Sequence, residues 1–218
     1  MQQNLSADNN KSFFHFPAKV ISYVFHPLFI PTYVFIFLIY WFPSEFSGIT
    51  IFQLKLRIIS VFWITAFFPA FGVFLLKALK LGVDNFLLKT QKERIIPFFI
   101  SMFFYWWMYY LSRNLKDQPE VLKFFFFGIF IATSIGVIIN NYIKISLHGI
   151  AMGSVLAAII LFSIYYQTPL GLPIIITILL TGLVCTSRLL ITNHTQAEIY
   201  VGLFTGILCQ LIAYRFVM

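Results

Sequence analysis

Charged side chains are scarce in this chain of 218 residues: Asp, Glu, Lys and Arg make up 10% of it, and only 7 residues are acidic. Because soluble domains carry about 25% charged residues, this composition excludes an ordinary soluble domain. The 2 cysteines, Cys185 and Cys209, both lie in apolar runs, which excludes a disulfide framework and a zinc finger. With 4 histidines and no Asp-rich motif, the sequence has little material for a multinuclear metal site.

Hydrophobic residues, by contrast, make up 60% of the chain, and 28 of them are phenylalanine. A globule of this size has no interior large enough for that much apolar surface, so lipid must solvate part of it. The net charge is +8, but the basic residues are scattered between hydrophobic spans. This distribution favours membrane lipids or a phosphorylated substrate as partners and argues against nucleic acid.

The apolar residues form seven segments, at about 21–41, 53–79, 95–112, 121–141, 148–166, 170–190 and 197–217. A helix needs about 20 residues to cross a bilayer, so we predict an all-α polytopic membrane bundle with six to seven transmembrane helices. The first segment has an alternative interpretation, in which it begins as an interfacial helix before His26-Pro27. We expect a polar N-terminal tail over 1–20 and a single transmembrane domain over 21–218.

Small residues recur at helical spacing in two of these segments. Gly149 and Gly153 precede Ala157, and Gly202 precedes Gly206. Such spacing lets two helix backbones approach closely. We expect these residues to pack against each other inside one molecule rather than to form a dimer face.

Polar residues gather in three clusters between the segments, at 84–97, 144–149 and 187–198. The chain crosses the membrane twice from the first cluster to the second, and twice more to the third. All three clusters are therefore predicted to lie at one membrane face, where they bring several cations together with two histidines. This predicted group consists of Lys89, Lys92, Arg94, Lys144, His148, Arg188 and His194.

Such a group is suited to binding and attacking a phosphate. Lys and Arg neutralise phosphoryl oxygens, a neutral imidazole can attack phosphorus, and a second imidazole can protonate the leaving oxygen. His194 and Glu198 are four residues apart, so they share one face of a helix. A carboxylate in that position can fix the tautomer of the imidazole.

Three sequence patterns carry a resemblance to a known family. Ser187-Arg188, five further residues, His194, three further residues and Glu198 resemble the third signature of the type 2 phosphatidic acid phosphatase superfamily, in which the last residue is Asp. Ser146-Leu147-His148 is similar to its second signature, Pro-Ser-Gly-His. The stretch from Lys89 to Pro97 is similar to its first signature, in which six residues separate Lys from Arg-Pro.

The resemblance implies a metal-independent membrane lipid phosphatase that works through a phosphohistidine, with no cofactor. By resemblance, His194 is the nucleophile, His148 the general acid and Glu198 the residue that orients His194. The implied phosphate ligands are Arg188, Arg94, Lys89, Ser146 and Lys92, where either Lys89 or Lys92 takes the role of the first-signature lysine. Implied substrates are phosphatidic acid, phosphatidylglycerol phosphate, an isoprenoid diphosphate or a phosphorylated lipid A.

The sequence departs from the family pattern at several positions. Four residues rather than six separate Lys89 from Arg94, and Ile95-Ile96 intervene before Pro97. Leu147 stands in place of the second-signature glycine, and Glu198 in place of aspartate. These departures leave open a catalytically silent relative that binds a lipid phosphate. A transporter or channel that gathers anions is a further alternative, opposed by the near absence of charge inside the spans.

Simpler roles exist for individual residues. His148 opens an apolar helix and can cap it, and Lys89, Lys92 and Arg94 can act as flanking charges that fix topology. Lys144 is expected to reach from the helix end to the interface, and His26 is expected to lie outside the clusters. Lys and Arg are divided equally between the two faces once the favoured phosphate ligands are set aside, so charge does not decide orientation. The family resemblance implies a bacterial cytoplasmic membrane with the site on its outer face.

Overall fold

A computed structural model describes residues 15–79, 91–115, 118–191 and 194–218, and the described chain folds into helices joined by short connections. The first, α1, covers 15–24 within the described part. The others are α2 (Ile30–Trp41), α3 (Ile51–Ala78), α4 (Gln91–Asn114), α5 (Glu120–Asn140), α6 (Leu147–Tyr165), α7 (Gly171–Ile191) and α8 (Gln196–Val217). Within the described residues, the six helices α3 to α8 are long and apolar enough to cross a membrane. The protein is therefore an integral membrane protein with an all-α polytopic fold, as predicted.

The N-terminal region differs from the prediction in two ways. Residues 15–20, assigned to the polar tail, already belong to α1, and Ala18 is buried in the bundle. The first apolar segment is also not one helix, because the chain turns at 25–29 around Pro27 before α2 begins. Proline cannot continue the preceding helix, since it lacks an N–H and restricts the residue before it.

Helix α2 alone is too short to cross a bilayer, because its 12 residues span about 18 Å. Contacts near the two ends of the first apolar segment nevertheless place that segment along the full length of α6. The ring of His26 lies 5.5 Å from that of His148 at one end, and Phe42 stacks on Tyr166 at 4.0 Å at the other. The first segment thus runs beside α6 from one face of the bundle to the opposite face.

Phenylalanine side chains fill the centre of the bundle. Phe124, Phe125 and Phe126 of α5 are fully buried, together with Phe35 and Phe162. By contrast, α3 and α7 present mostly exposed apolar side chains, such as Leu172 and Leu179 on α7. Since a water-soluble surface would not expose such a continuous apolar face, these two helices face lipid.

The closest helix contact joins α6 to α8 through the predicted small residues. A Cβ added at Gly153 would lie 2.1 Å from the carbonyl oxygen of Leu203, and one added at Gly206 would lie 2.1 Å from that of Ile150. Both obstructing atoms belong to the backbone, so they cannot rotate away. This contact confirms that the small residues pack within the molecule.

We expect one added methyl group to weaken the contact between α6 and α8. Gly153→Ala should destabilise the protein by about 1–3 kcal/mol, because the added Cβ forces the two backbones apart. The matched control is Gly182→Ala on α7, where nothing lies within 4 Å of the added atom. Thermal unfolding in detergent should show a lower midpoint for Gly153→Ala only. Equal midpoints for the two variants would contradict this packing.

Candidate functional site

The three polar clusters meet at one end of the bundle, as predicted, within the residues that the structure describes. Arg94, near the start of α4, donates a hydrogen bond of 3.1 Å to the carbonyl oxygen of Ile145, in the connection that precedes α6. Another nitrogen of the same guanidinium lies 3.5 Å from Nε2 of His194, just before α8. One side chain therefore links all three clusters.

Two N-terminal caps fix where α6 and α8 begin, and so where their histidines lie. The hydroxyl of Ser146 accepts a hydrogen bond from the backbone N–H of Gly149, and that of Thr195 accepts one from the N–H of Glu198. Caps of this kind satisfy the otherwise unpaired N–H groups of a first turn. The backbone N–H of Ser146 also donates to the carbonyl oxygen of Glu198 at 3.2 Å, which joins the two helix starts directly.

His194 and Glu198 form the tightest polar contact of the site. Nδ1 of His194 lies 2.7 Å from Oε2 of Glu198. A carboxylate only accepts hydrogen bonds, so Nδ1 carries the proton and Nε2 keeps its lone pair. That lone pair faces Arg94. The arrangement presents an uncharged, nucleophilic nitrogen beside a cation.

Burial keeps this imidazole uncharged. His194 is 7% exposed, and desolvation lowers its pKa below the ordinary 6.5. The hydrogen bond to Glu198 opposes this shift, whereas the charges of Arg94 and Arg188 reinforce it. Neutral His194 is therefore the dominant form at neutral pH.

Glu198 has a second role that the sequence interpretation missed. Its carboxylate also accepts the backbone N–H of Thr195 at 3.2 Å, which completes a capping box with the Thr195 hydroxyl. The signal was present in the sequence, since Thr followed three residues later by Glu is the pattern of a capping box. The same carboxylate thus starts helix α8 and orients His194.

Ser22 of α1 contacts two further predicted site residues, Arg188 and His148. Nη1 of Arg188 donates to its hydroxyl oxygen at 2.7 Å, and Nε2 of His148 lies 3.0 Å from its carbonyl oxygen. The carbonyl can only accept, so Nε2 of His148 carries the proton. Ser22 is buried and 126 residues from His148 in sequence, which is why spacing within the signatures could not indicate it.

His26 also belongs to the site, contrary to the expectation that it lies outside the clusters. Its ring stands edge-on to that of His148 at 5.5 Å. Burial and the nearby charge of Arg188 lower its pKa to about 4. The turn at Pro27 brings His26 to this end of the bundle, so the break in the first apolar segment is the signal that pointed to it.

The remaining predicted ligands differ in their placement. Ser146 is fully buried at the start of α6, where its hydroxyl caps the helix and still carries a proton to donate. Lys92 is exposed and two residues before Arg94, so the two side chains point to different sides of α4. Lys89 lies outside the described residues. Lys144 joins the electrostatic surroundings of the site, since burial, Arg94 and Arg188 lower its pKa while Glu198 raises it.

Within the described ranges, no three His, Cys, Asp or Glu side chains lie close enough together to hold a metal ion. No family model, curated protein or solved structure matches the chain.

Two histidines of the site, the partly buried His26 and the buried His194, predict how stability depends on pH. The pKa values of His26 and His194 are lowered in the folded protein and return to about 6.5 on unfolding. The unfolded chain therefore binds more protons below pH 6.5, and the free energy of unfolding should fall as the pH drops from 7.5 to 5. Thermal unfolding in detergent across this range measures the effect.

The variant His26→Phe serves as the control for this pH dependence. It removes one of the two histidines, so the midpoint should vary less with pH than in the parent protein. An unfolding midpoint that is constant from pH 7.5 to 5 in the parent would contradict the uncharged state of these two side chains.

Proposed function

We propose that this protein is a membrane phosphatase that hydrolyses a lipid phosphate or diphosphate through a phosphohistidine on His194. The observation that carries the proposal is the contact between His194 and Glu198, which leaves Nε2 unprotonated and aimed at the guanidinium of Arg94. A phosphate bound by that guanidinium would place its phosphorus within reach of Nε2. The resemblance to the type 2 phosphatidic acid phosphatase superfamily supports the same assignment.

The proposed reaction has two steps. Nε2 of His194 attacks phosphorus, the bond from phosphorus to the lipid oxygen breaks, and the imidazolium form of His148 gives its proton to that oxygen. Water then attacks phosphorus, the bond to Nε2 breaks, and His148 takes the proton that water loses. Bound phosphate brings negative charge beside His148, which favours the protonated form needed in the first step.

Charge at the site supports an anionic substrate. Arg94 lies beside His194, Arg188 contacts Ser22, and Lys144 adds a third cation nearby. Guanidinium groups bind phosphoryl oxygens through paired hydrogen bonds and stabilise the charge that develops in the transition state. The lipid-facing helices embed this site in the bilayer, from which a lipid substrate would reach it. By resemblance, we place the protein in a bacterial cytoplasmic membrane with this end on the outer side.

A second candidate function is binding of a lipid phosphate without turnover. It is favoured by the contact between Nε2 of His148 and the carbonyl oxygen of Ser22, because a proton held there is not directed at a substrate. A binding protein would need the cations of the site but not the nucleophile.

Phosphate release from a panel of lipid phosphates distinguishes the two functions. The purified protein, in detergent with EDTA, should release phosphate, and His194→Ala should lower the rate by about 10⁴-fold or more. An equal rate for parent and variant, or no release from any lipid of the panel, would contradict the phosphatase. Retained binding of the lipid without release would support the silent binder.

The two roles of Glu198 can be separated by two variants. Glu198→Gln keeps a side chain that completes a capping box but removes the charge that orients and stabilises His194. We expect kcat to fall by about 10³–10⁴-fold with little change in thermal midpoint. Thr195→Val removes the hydroxyl cap instead, and should cost about 1 kcal/mol of stability with kcat nearly unchanged.

The two measurements are made on the same preparations. If Glu198→Gln lowered the thermal midpoint as much as Thr195→Val while leaving kcat unchanged, the carboxylate would be a cap only. The catalytic assignment of His194 would then lose its orienting group.

A further inference from the structure

A cavity of about 320 Å³ lies inside the bundle beside the polar site. It is partly open and is lined by the turn at 25–29 and by parts of helices α2 to α6, with a mostly hydrocarbon lining. Hydroxyl-bearing side chains interrupt this lining at a few points, namely Ser101, Tyr105, Thr133 and Ser154.

The cavity is lined in part by the same structural elements that carry the residues of the polar site. Its lining includes His26, whose ring contacts His148, and Leu147, which is adjacent to His148 in the chain. It also includes Pro97, one helical turn beyond Arg94. The residues that surround a bound phosphate and those that open into the cavity are therefore neighbours on the same three elements.

From this end the cavity extends towards the middle of the bundle. The lining of α4 reaches from Pro97 to Tyr105, and that of α6 from Leu147 to Ser154. At about 1.5 Å per residue, these stretches correspond to about 12 Å and about 10 Å of depth. A ligand that fills the cavity would be elongated along the bundle, with one end at the polar site.

Volume limits what the cavity can take. A dry apolar cavity of about 150 Å³ accommodates a benzene ring, so 320 Å³ is enough for about a dozen carbon atoms. That is the size of one hydrocarbon chain and too little for two side by side. Small-molecule sites typically combine a mostly apolar lining with a few polar groups. Here the charged groups of the polar site lie next to one end of the cavity, as an amphiphilic ligand requires.

We propose that this cavity holds a single hydrocarbon chain of the ligand whose phosphate binds at Arg94 and Arg188. The inference rests on the proposed function, and it narrows the ligand to a lipid that can insert one slender chain, such as a prenyl or a monoalkyl phosphate. For a two-chain lipid, only one chain enters and the other remains in the bilayer. Selection of the hydrocarbon chain thus takes place in the cavity lined by α2 to α6 rather than at the head group.

Photochemical labelling tests the location of the chain without requiring turnover. The probe is dodecylphosphonate with a diazirine at its terminal carbon, added to the full-length protein in lipid nanodiscs. Because a phosphonate is not hydrolysed, labelling reports binding alone. Mass spectrometry should find adducts at the deep lining residues Ser101, Tyr105 and Thr133. The same diazirine on dodecanol should label lipid-facing positions such as Leu179 instead.

Variants that fill the cavity provide the control. Ala151→Phe on α6 should lower labelling of the deep residues at least tenfold. If this variant does not fold, Ala70→Phe on α3 fills the cavity from another wall and should lower labelling in the same way. Leu179→Phe adds the same ring on the lipid-facing surface and should change nothing. Adducts confined to lipid-facing residues, or deep adducts that persist in both filled variants, would overturn the proposal.

The outcome is independent of whether the protein is an enzyme. Deep labelling in a protein that releases no phosphate would keep the hydrocarbon site and overturn the phosphatase. Phosphate release that depends on His194, without deep labelling, would keep the phosphatase and overturn the hydrocarbon site.

Discussion

The close contact between α6 and α8 is the constraint on which the rest of the site depends. The backbones approach so closely at Gly153 and Gly206 that neither position has room for a side-chain carbon. In lipid there is little hydrophobic gain from helix association, so such tight packing is a main source of helix–helix attraction. It aligns the two helix starts, and the hydrogen bond between Ser146 and Glu198 fixes their relative position.

Charge placement follows from this alignment. The first residues of both helices lie at the same end of the bundle, so His148 and His194 are carried there with their caps. Arg94 and Arg188 then approach from α4 and α7. Arg94 is buried, Arg188 is partly buried, and the carboxylates of Glu198 and Glu93 act on the charge of Arg94. A phosphate bound at this end would interact with both guanidinium groups at once, which is the physical argument for the proposed function.

Much of this arrangement was predictable from sequence because it depends on counting membrane crossings. Segments of about 20 apolar residues identify helices reliably in a bilayer, and an even number of crossings places two connections at one face. That reasoning located Arg94, His148, Arg188 and His194 at the same end without any knowledge of packing. The pairing of His194 with Glu198 followed from helical spacing, which is also local.

The residues that sequence reasoning missed are those brought in by tertiary packing. Ser22 and His26 come from the N-terminal helix and turn, and no spacing rule relates them to His148 more than 120 residues away. The start of α1 was assigned to the polar tail because it contains a few polar residues, although its Ala18 is buried in the bundle. The three buried phenylalanines of α5 could equally have faced lipid, since apolar composition does not distinguish the bundle core from its lipid-facing surface.

The most direct test is to trap the proposed phosphohistidine. After brief mixing with a radiolabelled lipid phosphate and an alkaline quench, which preserves phosphohistidine, the label should remain on the protein and map to His194. His194→Ala should carry no label under the same conditions. Label on a different residue, or turnover with no labelled protein at any mixing time, would contradict the central role assigned to His194.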